Sequence, residues 1–133
     1  MASKPETTFY TGLHKHLPAE LHKEKMHNPF RGGTWDFWFS GKADLWVEYK
    51  FTVLPKREST IVDVDLSEIQ KDWGKGRLKE GRNLAVIVGC KEGGVIFTDQ
   101  KWLYSLSCKD FKRQIRSRSE IALWIIKSTG GLP

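Results

Sequence analysis

Between residues 45 and 53 the chain alternates strictly: Leu45, Val47, Tyr49, Phe51 and Val53 are interleaved with Trp46, Glu48, Lys50 and Thr52. Only an extended strand sends two such sets to opposite faces. The first set predicts a core face. On the other face Glu48 and Lys50 project side by side. Upstream, Gly33-Thr34-Trp35-Asp36-Phe37-Trp38-Phe39-Ser40-Gly41 predicts a partner strand. The Ser40-Gly41-Lys42 turn folds that strand back and brings Asp36 beside Glu48. A hairpin that gathers two carboxylates and an ammonium can hold a hard divalent cation and keep one positive charge for an anionic group. That donor set suits metal-assisted attack on a phosphate.

The remaining composition agrees with such a partner. The chain has 133 residues, enough for one domain spanning 1–133 with a real core. It carries 22 lysines and arginines against 16 acids, a net charge of +6. A basic surface favours a polyanion, with nucleic acid the expected partner and room for a homodimer. No apolar run approaches a membrane span and no signal-peptide pattern opens the chain, so no membrane is expected. Cys90 and Cys108 stand apart, as free thiols of a reducing cytoplasm do. His14, His16, His22 and His27 lack cysteines at zinc spacing, which argues against structural zinc. The first three read as exposed helix histidines. His27 and Arg31 flank the hairpin and are candidates for touching phosphate.

In chain order, a helix opens at Glu6 and runs to about residue 17, with Phe9, Leu13 and Leu17 on one face. Glu6 complements the dipole of its first turn. Pro18 ends it. Propensity predicts more helix over 19–25, while residues 24–29 could instead lead into the hairpin as an extended segment. After the hairpin, Ser67 and Gln70 form a capping box for a helix that stops at Gly81. Residues 84–88 read as a buried strand, paired through Glu92-Gly93-Gly94 with 95–98. Residues 109–118 hold five bases and one acid. Ser117 and Glu120 form a further capping box before the apolar run 121–126, read as a helix with a strand as the alternative.

The order G-T-W-D, hairpin, V-E-Y-K, then L-S-x-x-Q resembles the signature of the PD-(D/E)XK nuclease superfamily. The resemblance runs from about residue 6 to 98, and is nearest to small nucleases of phages and mobile elements, including the virus-type replication–repair group and Holliday-junction-resolvase-like enzymes. Where the family has proline before the first acid, this chain has Trp35. The resemblance implies an α/β fold with an α-β-β-β-α-β core and a mixed central sheet flanked by helices. It implies a DNA endonuclease dependent on Mg²⁺, with Mn²⁺ able to substitute, leaving 5′-phosphate and 3′-hydroxyl ends. Asp36 and Glu48 would hold the metal with the carbonyl of Tyr49. Lys50 would hold water or phosphate, and Gln70 would reach towards the site from its helix. Glu6 would be the acid of the first helix, a part that Glu20 or Glu24 could also play.

Overall fold

The computed structural model describes residues 3–26 and 32–131. The first helix, α1, spans Lys4–His14. The Ser3 hydroxyl caps it by accepting the Glu6 N–H at 3.3 Å, and Phe9, Tyr10 and Leu13 form its buried face. It stops three residues short of the expected end. His16 and Leu17 bond back to Leu13 and His14 in tighter i→i+3 turns. Leu17 precedes a proline, whose ring disfavours the helical conformation there.

A second departure follows. The predicted helix over 19–25 is in fact strand β1, His22–Lys25, with all four residues exposed. The good helix formers here are overridden by pairing. β1 runs antiparallel to β2, Phe37–Ser40, from His22 opposite Ser40 to Lys25 opposite Phe37. Residues 27–31, with the expected phosphate contacts His27 and Arg31, lie outside the described part of the chain.

β2 pairs antiparallel with β3, Asp44–Phe51, through the expected turn. Leu45, Val47 and Tyr49 are fully buried on one face, as the alternation requires. Val53 is not in the core: β3 ends at Phe51, and Val53 stands 86% exposed beyond it. The chain then forms β4, Ile61–Val62, and α2, Glu68–Lys79. It returns as β5, Leu84–Cys90, parallel to β3, and turns into β6, Gly93–Phe97. β7, Leu106–Ser107, pairs with β4 in a small second sheet. Two helices close the chain: α3, Cys108–Arg113, and α4, Arg118–Ser128. The latter settles the apolar run 121–126 as helix, with the Ser117–Glu120 capping box formed.

The fold is α/β, with a mixed five-stranded sheet in the order β1-β2-β3-β5-β6. It contains the α-β-β-β-α-β order. One apolar layer, including Phe9, Leu13, Phe39, Val47, Ile87 and Ile125, packs α1 and α4 on one face. The other, including Trp35, Val86, Val95, Trp102 and Phe111, lies beneath α2 and α3. Cys90 and Cys108 are buried free thiols. No helix among the described residues is long and apolar enough to cross a membrane.

Two positions in this frame bear on its stability. Gly74 faces Trp35 and Trp102 across the α2 contact. A Cβ there would come 2.5 Å from Trp35 and 2.9 Å from Trp102. Alanine favours helix over glycine by about 1 kcal/mol, but overpacking costs about 1–3 kcal/mol. Gly74→Ala should therefore lower the melting temperature. A thermal melt above wild type would show that α2 has room to move.

His14 is the second. It is not an exposed helix histidine: its ring packs on Phe37 and Phe39, and its Nε2 lies 2.9 Å from the Tyr49 hydroxyl. Burial, with Lys23 adding to it, lowers its pKa to about 4. The folded pKa lies below the unfolded one, so the stabilisation is present above pH 6.5 and is lost as pH falls towards 4. The wild type should lose up to about 1.4 kcal/mol per pH unit in that window relative to His14→Gln. Melting curves of both proteins from pH 4 to 7 measure this, and parallel curves would refute it.

Candidate active site

Asp36 directly precedes β2, whose first residue Phe37 pairs with Val47, and Glu48 is the next residue along β3, so the hairpin brings the two acids together. Each acid accepts a backbone N–H from the facing segment. The Asp36 N–H donates to Glu48 Oε1 at 3.1 Å, and the Tyr49 N–H donates to Asp36 Oδ2 at 3.2 Å. Glu48 is only 3% exposed. Burial above all, then the charge of Asp36, pushes its pKa up to about 9 against the pull of Lys50. Burial also raises the Asp36 carboxyl, opposed by the Tyr49 N–H and by Lys25 and Lys50. Two desolvated acids thus face each other without full compensation.

Gln70 ties the pair to Lys50. Its Oε1 accepts the Ser67 N–H at 3.0 Å, which completes the capping box of α2. The same oxygen accepts from Lys50 Nζ at 3.1 Å, and Nε2 donates to Glu48 Oε2 at 3.0 Å. The two donors on one side and the carboxylate on the other fix the orientation of the amide. The capping box and the reach towards the acids are therefore one geometry. Lys50 Nζ also lies 3.8 Å from Glu48 Oε2. Trp35 holds the helix backbone at the same residue: its buried indole N–H donates to the Gln70 main-chain carbonyl at 2.9 Å. Trp35 thus anchors α2 directly beside Asp36.

Of the three candidate helix acids, Glu6 is the one whose charge acts on Asp36 and Glu48. It sits half-buried in the first turn of α1, its own pKa raised by burial and then by Asp36. Glu20 lies beside Leu21 and Ile126 in a separate apolar pocket. Glu24 is on β1, 3.8 Å from His22 and opposite Trp38. Tyr49 contributes its peptide to the site, while its side chain is buried and bonded to His14.

The sequence reading missed Lys25. Its Nζ donates to the Tyr10 hydroxyl at 2.8 Å, and Asp36 and Glu6 both help to raise its pKa, after that bond. Strand pairing with β2 puts it there, and a reading of 19–25 as helix hides it. A groove of about 550 Å³ opens beside Glu6 and Lys50, between Thr52, Pro55 and the segment 60–65.

The donor set fits a hard divalent cation. Asp36 and Glu48 offer oxygen ligands, and their raised pKa values show that burial disfavours the ionised forms, which such an ion would stabilise. Among the described residues no group of three or more histidine, cysteine or acidic side chains closes into a cage. Mg²⁺ needs none, since it keeps several waters when few carboxylates hold it.

No family model matches the chain, and no curated protein matches it. Among solved structures, it is similar to Hjc, a Holliday junction resolvase from the archaeal hyperthermophile Archaeoglobus fulgidus. The superposition has a TM-score of 0.53 and 14% sequence identity. It covers 88% of this chain and 99% of the other. At that identity the likeness establishes a shared fold.

Proposed function

We propose that the protein is a metal-dependent DNA endonuclease of the PD-(D/E)XK type, selective for branched substrates. One observation carries the reading: Asp36, Glu48, Lys50 and Gln70 converge on adjoining elements in a closed network. The fold shared with a junction resolvase supports the preference for branches.

Asp36 and Glu48, with the Tyr49 carbonyl, would hold Mg²⁺ or Mn²⁺. When bound, such an ion makes water a better nucleophile and offsets charge developing on the phosphate. Lys50 is the cation left to the substrate, and its ammonium orients the attacking water or a phosphate oxygen. Gln70 is a positioning residue that holds Lys50 and Glu48 in register. Glu6 faces them from α1 and orders water on the open side. Burial of Glu48 keeps bulk water from the inner edge of the site.

Supercoiled plasmid tests the reading. Nicking with Mg²⁺ that stops in EDTA is expected. A panel of nicked, linear, flapped and four-way DNA should then show faster cutting of the branched forms. DNA binding without cleavage in any divalent metal would leave a basic binding module. Cleavage of RNA alone would move the site to another polymer.

A further inference from the structure

A second groove, away from the acids, combines positive charge with an exposed aromatic ring. It lies between β6 and α4, encloses about 440 Å³, and is lined by Lys101, Tyr104, Gln114, Arg116 and Trp124 beside Ile96 of β6. No carboxylate lines it. Neither Lys101 nor Arg116 has an ion pair within 4.0 Å among the described residues, unlike Lys71, Arg77 and Arg113 elsewhere on the basic surface. Glu120 feels Arg116, but its carboxylate is committed to the Ser117 N–H at 3.0 Å. Tyr104 is 69% exposed, and Trp124 is partly buried against the core.

One side of the groove is tied to the sheet. The Arg116 backbone exchanges both hydrogen bonds with Gly94, at 3.0 and 2.8 Å, so its side chain starts from a fixed point on the sheet edge. The groove lies at the β6 edge of the sheet that carries the acids. Lys50 pairs with Val88, and Val88 with Val95, so the β6 strand axis lies two strand spacings from that of β3, or roughly 10 Å.

We propose that this groove binds an unpaired strand of nucleic acid, with phosphates on Lys101 and Arg116 and a base stacked on Tyr104. A volume within roughly 300–1,000 Å³ suits small organic groups, here a nucleotide or two, and is too small for a duplex. A duplex also hides the base faces that an exposed ring would stack on, whereas a single strand offers them. The Gln114 amide can bond to a base edge. The proposal rests on the nuclease reading for the polymer being DNA, and it adds what that reading lacks: a holder for the single-stranded arm of a branched substrate.

Fluorescence anisotropy in EDTA tests it, with labelled oligothymidylate, a blunt duplex, and a duplex bearing a single-stranded arm. Tyr104→Ala should weaken binding to the oligothymidylate by roughly fivefold or more, and Tyr104→Phe should retain it. Lys101→Ala and Arg116→Ala should each reduce the log–log salt slope on that probe by roughly 0.7. All should bind the blunt duplex and melt as wild type does. Equal losses on blunt duplex and single strand would overturn the proposal, as would no loss on either or no binding of oligothymidylate by wild type. If the wild type nicks plasmid while the variants bind the arm normally, the groove assignment falls and the nuclease reading stands. If the variants lose oligothymidylate but no divalent metal elicits cleavage, the groove stands and the nuclease reading falls.

Discussion

Lys50→Ala should cut plasmid nicking by roughly 10²–10⁴-fold, the range expected for a group that positions or transfers a proton at the reacting atoms. The variant should keep its fold. Lys50 is only one of two donors to Gln70 Oε1, and the Ser67 N–H still holds that oxygen, so the α2 cap survives. Glu48→Gln should lose at least as much activity, because it removes a metal ligand. It too should fold, since an amide oxygen can still accept the Asp36 N–H. Its amide side would meet the Gln70 N–H₂ or stay unpaired, so a modest change in melting temperature is expected beside a large change in rate. Mobility-shift and nicking assays on the same preparations separate binding from chemistry. Wild-type cleavage by either variant would remove the candidate site.

Asp36→Asn should melt at or above the wild type in EDTA, although it loses activity. Asp36 is the second cause, after burial, of the raised Glu48 pKa. The folded pKa of Glu48, about 9, exceeds its unfolded value near 4.5. The folded form therefore holds its proton more tightly, and this stabilisation is complete below pH 4.5 and lost as pH rises towards 9. Metal-free wild type should lose stability across that window, and Asp36→Asn should lose less. Between pH 4.5 and 6.5 the His14 effect has the opposite sign, so the comparison is cleanest above 6.5. Mg²⁺ should restore wild-type stability at neutral pH by mass action, about 2.7 kcal/mol at a hundredfold excess over Kd. The variant should gain little. Melting curves of each protein with EDTA and with Mg²⁺, repeated from pH 6.5 to 9, measure all of this. An Asp36→Asn protein that melts well below wild type in EDTA would make Asp36 a structural residue.

What could be read from sequence was local. The alternation in β3 located Glu48 and Lys50, and both capping boxes formed as their spacing indicated. For Gln70 the sequence offered two roles, and the geometry contains both contacts because one amide has two ends. What could not be read depended on distant partners. Residues 22–25 have helical propensity, but β2 offers them a ladder. Lys25 became visible as a neighbour of Asp36 only through that ladder. His14 looks like a surface residue from its polar neighbours, yet β2 and β3 supply the rings that cover it. Trp35 departs from the expected proline, and its long-range bond to Gln70 was not encoded in any local pattern.

The pairing of Asp36 and Glu48 across the hairpin bears on how this chain can change over generations. The same register that opposes the two acids also turns Val47 and Tyr49 inward. A one-residue insertion or deletion in the Ser40–Asp44 turn would separate the acids and turn the core face to solvent together. An insertion or deletion there cannot shift the two positions out of alignment and keep the fold, because misalignment removes the core face as well. Selection for a folded chain alone therefore preserves the register, while the acids themselves stay open to substitution.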